Sequence, residues 1–219
     1  MHLVVISHKY CWQADSGQWF SSGGFPLQMR ALAAYFYQVT LVVPVGAPLT
    51  GGVPLPDHAQ ILPLRIPRGK NASRKLDILL HAGAYLGPIF SAIAEADIVH
   101  TPAPGDMALL GLICARIQRK RIFVRYGGSW EINQRNSAAN NFTRLLMRKI
   151  ARSQVVMVSG YGLTRPAEDI QWLFSSAITQ VDVEKTNPRV GDLNKPASLA
   201  YIGRLSEEKG VDALLKSIQ

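Results

Sequence analysis

The sequence predicts an α/β fold in which a doubly wound parallel sheet is covered by helices on both faces. Short apolar runs of strand length alternate along most of the chain with segments that have helical periodicity. This alternation is typical of βαβ units, whose crossovers are right-handed and whose strands are buried on both faces. A chain of 219 residues with 47% hydrophobic residues is also long enough to bury such a core.

The predicted strands are the apolar runs. The first of them has no basic n-region and no long h-region, so it indicates a strand rather than a signal peptide. No run reaches eighteen uninterrupted apolar residues, so we expect no transmembrane helix. The strands are predicted at 2–7, 39–45, 60–66, 97–101, 121–126 and 154–159, with a weaker one at 177–183.

The predicted helices lie between these runs. The first carries Met29, Leu32 and Phe36 at helical spacing, and Pro26 suits its first turn. The helices are predicted at 26–37, 73–94, 105–118 and 137–152.

A polar stretch with two prolines and a glycine, 184–198, predicts a linker. The pattern then restarts with a short apolar strand and a helix, in which Val211, Leu214, Leu215 and Ile218 have helical spacing. We therefore expect an N-terminal domain at 1–185, a linker at 186–197, and the incomplete start of a second Rossmann-like domain at 198–219. One strand and one helix do not make a domain, so we expect a fragment that is inactive by itself.

Positive charge is concentrated in the middle of the chain. The segment 65–152 holds 15 of the 24 basic residues and only 5 of the 15 acidic ones. Within the predicted helix 137–152, Arg144, Arg148 and Arg152 recur every fourth residue and predict an exposed basic face. The opposite, apolar face is predicted to contain Phe142, Leu145, Leu146 and Ile150.

Two interpretations of this basic face stay open. It is either an ordinary solvated helix face or a surface that attracts anionic lipid or an anionic substrate. Nucleic acid is not favoured, because no basic strand with interleaved aromatic residues and no recognition-helix motif is present.

The loop after the first strand ends in Ser21-Ser22-Gly23-Gly24, just before a helix. Paired glycines allow a ligand to approach the backbone closely, with amide groups directed at it. The pattern is not G-x-G-x-x-G, and no acidic residue ends the second strand, so a nicotinamide dinucleotide site is not favoured.

A second glycine-containing turn lies in "YIGRLSEEKG" (201–210), directly after the strand predicted at 198–203. Arg204 and Lys209 on a strand-to-helix turn suit charge-assisted contacts to a diphosphate. Local pairing of Arg204 with Glu207 or Glu208 is an equally good interpretation from geometry alone.

These turns, together with "DIVHTPAP" and "FVRYGGSWE", resemble retaining glycosyltransferases of family 4, which have the GT-B fold. The resemblance covers most of the chain. Its most specific part is the Gly203-Arg204 pair followed five residues later by Lys209-Gly210, ahead of an amphipathic helix. The segment 160–180 matches poorly.

The resemblance implies transfer of a hexose from a nucleotide-diphosphate sugar to an acceptor hydroxyl, with retention of configuration and with neither a metal nor another cofactor. Arg204 and Lys209 would stabilise the leaving diphosphate, and Gly23, Gly24 and Gly203 would approach the donor. His100 at the end of its strand would face the sugar or acceptor, unless it only caps the strand. Further acceptor-side candidates, all predicted on loops, are Trp19, Tyr126, Trp130 and Glu131.

The resemblance also implies partners and a location. We expect a nucleotide sugar and a glycan or lipid-linked acceptor, as in glycan or lipopolysaccharide biosynthesis. We expect a cytoplasmic protein, with the inner face of an anionic membrane as a further candidate partner. The alternative function is a non-catalytic α/β module that binds anionic membrane or a protein through its basic face.

Overall fold

The computed structural model describes residues 1–128, 130, 137–160, 163–174, 178, 180–186, 200–202 and 210–218. By its internal contacts the chain divides into two units, Met1–Ala177 and Ile178–Gln219. The domain boundaries given above stay a prediction, because the predicted linker lies outside the described residues apart from Thr186.

The described residues form ten strands and seven helices. The strands are β1 (His2–Ile6), β2 (Cys11–Gln13), β3 (Trp19–Ser21), β4 (Gln38–Pro44), β5 (Val53–Pro54), β6 (Ala59–Leu64), β7 (Ile98–Ala103), β8 (Arg121–Tyr126), β9 (Val155–Ser159) and β10 (Gln171–Leu173). The helices are α1 (Phe25–Ala33), α2 (Asn71–Leu80), α3 (Ala82–Ala94), α4 (Asp106–Ile117), α5 (Ala138–Ile150), α6 (Gln180–Glu184) and α7 (Val211–Ser217).

Seven strands of the first unit form one sheet in the order β10-β9-β8-β7-β1-β4-β6. Every neighbouring pair in this sheet is parallel. The predicted fold class, a doubly wound, Rossmann-like α/β fold, is therefore confirmed.

The two faces of the sheet contribute to two hydrophobic cores. Along β1, Val4 and Ile6 belong to the core that includes residues of α3, α4 and α5, whereas Leu3 and Val5 belong to the core under α1. This alternation follows from the two-residue period of a strand. Helix α4 packs very close to β1, since a Cβ added at Gly111 would lie 2.8 Å from Cβ of Ile6.

The order of the strands reverses its direction at β1. The chain runs from β1 outward through β4 to β6, and then returns to place β7 on the other side of β1. In open α/β sheets, ligands bind outside the carboxyl ends of the strands at such a switch point. The fold itself therefore singles out the carboxyl ends of β1 and β7.

Three predicted elements differ from the structure. The weak strand predicted at 177–183 is wrong, since Gln180–Glu184 are helical. The last strand of the seven-stranded sheet is instead β10, Gln171–Leu173. The long helix at 73–94 is divided into α2 and α3, with His81 between them and a 71° bend. The loop after β1 contains β2 and β3, which form a small sheet with β5.

The bend bears on the search for membrane-spanning helices. Among the described residues, no single helix combines the length and the hydropathy that crossing a bilayer requires. The pair of α2 and α3 meets both criteria only when its two bent halves are taken together.

The predicted basic face of α5 is corrected by the structure. Arg144 is only 2% exposed, whereas Phe142 and Leu145 are about half exposed. Arg148 and Arg152 are exposed, so the three arginines do not form one exposed face. The buried stripe contains Thr143, Arg144, Met147 and Ile150.

Candidate functional site

A pocket lies at the switch point of the sheet, and we call it the edge pocket. Its volume is 290 Å³. It is bordered by the residues that follow β1, the carboxyl end of β7 with the residue that follows it, the carboxyl half of β8, and the amino end of α1. The lining includes His8, Lys9, Gly24, Pro102, Pro104 and Arg125.

The amino end of α1 borders this pocket through Gly24 and Phe25. Gly24 is the N-cap of α1, and no side chain caps the helix. The amides of a first helical turn have no intrahelical partner, and Pro26 in this turn has no N–H group. The turn before the helix is fixed because the hydroxyl of Ser21 donates to the carbonyl of Tyr10 at 2.7 Å.

His8 is held between the edge pocket and the amino end of α4. A Cβ at Gly105, the N-cap of α4, would lie 2.3 Å from Nδ1 of His8. No residue with a side chain fits there unless the imidazole moves. Nδ1 of His8 is buried and has no hydrogen-bond partner.

The electrostatics of the edge pocket favour an anion. Burial, followed by the charges of Lys9 and Arg74, lowers the pKa of His8, so this imidazole is neutral at pH 7. Burial also lowers the pKa of Arg125, which nonetheless stays charged at neutral pH. No carboxylate of the described residues forms an ion pair with Lys9 or Arg125. Two cations that have no ion pair among the described residues, and a helix amino end, thus border one small cavity.

Of the glycines predicted to approach the donor, Gly24 lines the edge pocket, and Gly23 is the residue before Gly24 in the chain. Gly23 has a φ of 69°, a conformation that favours glycine. Trp19 lies instead in β3, where it lines a separate depression with residues 16–18 and 56–57. The structure therefore does not bring Trp19 to the edge pocket.

The prediction that His100 ends its strand is wrong, because β7 continues to Ala103. Its ring is 3% exposed and stacks on Phe123 with 4.4 Å between the ring centroids. Nδ1 lies 2.9 Å from the carbonyl oxygen of Phe123, so Nδ1 carries the proton and donates it. His100 is on the same face of the sheet as Arg125 but does not line the edge pocket.

We expect His100 to make the protein less stable in acid. Burial lowers its pKa to about 4, against the opposing effect of the Phe123 hydrogen bond. In the unfolded chain the pKa of this histidine is about 6.5, so below pH 6.5 the unfolded chain binds a proton that the native state does not bind. The free energy of unfolding therefore falls as the pH is lowered from 6.5 to 4, by about 3 kcal/mol in total. Urea unfolding of His100→Gln should show a flatter pH dependence over this range. Parallel curves for the two proteins would contradict this.

Tyr126 and Trp130 are buried, which corrects the prediction that they are exposed loop aromatics. They are 1% and 7% exposed, and their rings make an edge-to-face contact at 5.7 Å. Tyr126 is the last residue of β8, and it belongs to the core that includes residues of α5. Its hydroxyl accepts a hydrogen bond from Nε of Arg144 at 3.3 Å. The two aromatic residues therefore support the packing of α5.

The remaining predicted site residues cannot be placed. Gly203, Arg204, Lys209 and Glu131 lie outside the described residues. Their proposed roles stay predictions.

Sequence reasoning missed His8, Lys9 and Arg125. The available signal was position, because His8 and Lys9 directly follow the first strand and Arg125 is a cation within an otherwise apolar one. Which strands are neighbours at the switch point is not visible in the sequence, so nothing indicated that these residues meet.

Comparison with known proteins gives a limited result. No protein-family model matches the chain, and no curated protein does. Among solved structures, MurG of Acinetobacter baumannii is similar, with a TM-score of 0.41 and 15% identity. The match covers 78% of this chain and 44% of MurG, so the chain spans less than half of that protein. A likeness of this degree carries no argument about activity.

Proposed function

We propose that this chain is part of a retaining, metal-independent glycosyltransferase. The enzyme would move a hexose from a nucleotide-diphosphate sugar to an acceptor hydroxyl. The observation that carries the proposal is the edge pocket, a cationic cavity at the switch point of a doubly wound sheet. The residue patterns that resemble family 4 glycosyltransferases also support it, and Gly24, Pro102 and Arg125 of these patterns line the pocket.

The proposed ligand of the edge pocket is the diphosphate of the donor. Lys9 provides an ammonium point charge and Arg125 a guanidinium fork, and both favour phosphate oxygens. The unpaired amides at the start of α1 act in the same direction. In a reaction without a metal, such fixed positive charge stabilises the leaving group as the bond between sugar and phosphate breaks.

His8 is suited to a different role in the proposed reaction. Its lowered pKa keeps the imidazole neutral at pH 7. A neutral imidazole can accept a hydrogen bond from a hydroxyl, which a protonated one cannot do. We therefore assign His8 to the acceptor or to a sugar hydroxyl rather than to the diphosphate.

Arg204 and Lys209 remain part of the proposal as further cations for the donor. The acceptor is proposed to be a glycan or a lipid-linked sugar, and the location is proposed to be the cytoplasm. The alternative, a non-catalytic module that binds through its basic face, loses one of the three arginines predicted for that face, because Arg144 is buried.

Calorimetric titration tests the proposal. Inorganic pyrophosphate is the first probe, because it carries the diphosphate shared by nucleotide-diphosphate sugar donors. Uridine- and guanosine-diphosphate sugars follow as competitors. We expect pyrophosphate to bind and a nucleotide sugar to displace it, since both would use the same cations.

Two variants test whether Arg204 and Lys209 contact the diphosphate. Arg204→Ala and Lys209→Ala should each weaken diphosphate binding by about tenfold or more, because each removes a charge-assisted hydrogen bond. The matched control is Lys216→Ala, which removes an exposed lysine of α7. If no diphosphate binds, the assignment of the donor is wrong. If all three variants bind like the unmodified chain, Arg204 and Lys209 do not contact the diphosphate.

A further inference from the structure

Helix α2 has an unusual position, because none of its ten residues is buried. A helix of this length is only marginally stable in water by itself, and most helices are stabilised by packing an apolar face. Its carboxyl end joins α3, and Arg65 holds Asp77 through two hydrogen bonds of 2.6 and 2.9 Å. The apolar side chains of α2 are thus largely left outside the core.

These side chains form a continuous stripe. Leu76, Leu79 and Leu80 share one side of α2 at helical spacing, and they are 55%, 71% and 71% exposed. Past the bend, α3 carries two more exposed apolar side chains, Leu86 and Phe90, which are 37% and 45% exposed. We call these five residues the leucine surface. Large apolar side chains exposed together in this way are a candidate interaction site.

The charges around the leucine surface are positive. Arg68, Lys70 and Lys75 are exposed on α2 or just before it. The only acidic residue of α2 is Asp77, and the Arg65 guanidinium holds the pKa of that carboxyl well below its usual range. Since Arg65 also neutralises Asp77, the surroundings of the leucine surface attract anions.

We propose that the leucine surface docks on an anionic lipid bilayer. Leu79 and Leu80 enter the boundary between headgroups and acyl chains, and Arg68, Lys70 and Lys75 contact the phosphates. This combination of apolar and basic groups is that of a helix lying in the interface plane. The charge around the leucine surface favours this occupant, because an anionic bilayer offers phosphates to Arg68, Lys70 and Lys75 and an apolar boundary to the leucines.

The position of α2 gives this contact a consequence for the edge pocket. Nε of Arg74 donates to the carboxylate of Asp106 at 2.8 Å, which ties α2 to the first residue of α4. The preceding Gly105 packs against His8 of the edge pocket. Docking through α2 would therefore present the edge pocket to a lipid-borne acceptor. This consequence rests on the proposed function. The docking proposal does not depend on that function.

Vesicle flotation tests the proposal with the intact chain. The probes are vesicles of phosphatidylcholine with phosphatidylglycerol and vesicles of phosphatidylcholine alone. We expect binding to the anionic vesicles only, weakened by salt, because the basic groups act at the surface. The variant L79E/L80E should bind at least about tenfold more weakly, since two inserted leucines become charged.

The matched control is F142E/L145E on α5. These two residues are also about half exposed, and exposed Arg148 and Lys149 lie close to them in the same helix. The control should float like the unmodified protein. Both variants replace exposed residues, and circular dichroism with thermal unfolding checks that each remains folded.

A second measurement separates lipid insertion from other contacts. A tryptophan introduced as Leu80→Trp should be quenched by brominated acyl chains in anionic vesicles. Flotation of L79E/L80E at the unmodified level, or no quenching of that tryptophan, overturns the proposal. Pyrophosphate binding by L79E/L80E should stay unchanged, so failure of the docking proposal and failure of the proposed function give different results.

Discussion

The substitution Arg144→Glu is expected to prevent stable folding. The guanidinium is 2% exposed, with Nη1 donating to Oδ1 of Asn141 at 3.2 Å and the group lying 5.3 Å from the centroid of the Tyr126 ring. A glutamate there would lose these contacts and bury a negative charge. We expect the free energy of unfolding to fall by at least about 4 kcal/mol, measured by urea denaturation.

Two further variants show whether burial of the charge is the cause. Arg148→Glu lies one turn further along α5, where the exposed guanidinium is 5.5 Å from the centroid of the Trp130 ring. It should cost no more than about 1 kcal/mol. Arg144→Met keeps most of the volume without a charge and should be far less harmful than Arg144→Glu. Equal unfolding midpoints for the two glutamate variants would contradict the burial of Arg144.

The fold could be predicted because the signals for its main elements are local. The strands β1, β4, β6, β7, β8 and β9 are largely apolar runs, and the predicted bounds agree with each of them to within about two residues. The strand β10 could not be found in this way, because its three residues are too few for a period to show. Apolar residues at 181 and 183 imitated the two-residue period of a strand, yet Gln180–Glu184 form a helix.

The candidate site was harder to predict because it depends on which strands are neighbours. Lys9 and Arg125 are more than a hundred residues apart in the sequence, and only the insertion of β1 between β7 and β4 brings them to one pocket. Helical periodicity misplaced Arg144, and the prediction that Tyr126 and Trp130 lie on exposed loops was wrong as well. A buried arginine stacked on a tyrosine ring has the same sequence signal as an exposed one, so only packing distinguishes them.

Charge reversal in the edge pocket is expected to have the largest effect on ligand binding. Arg125 is half-buried at the register position opposite Pro102, near the carboxyl end of β8. The substitution Arg125→Glu removes a charge-assisted contact to the diphosphate and adds repulsion in a partly desolvated cavity. We expect pyrophosphate affinity to fall by about a thousandfold, which corresponds to about 4 kcal/mol. Calorimetric titration at low ionic strength measures this change.

The same strand provides the matched control, because Arg121 is exposed at its amino end, four residues earlier. Arg121→Glu makes the same change in net charge, but it acts at the opposite edge of the sheet and does not border the edge pocket. If long-range attraction alone governed binding, both variants would weaken it equally, and the effect would vanish at high salt. If the edge pocket holds the diphosphate, only Arg125→Glu should abolish binding, and added salt should not remove the difference. Similar losses in the two variants would show that the anion is held elsewhere.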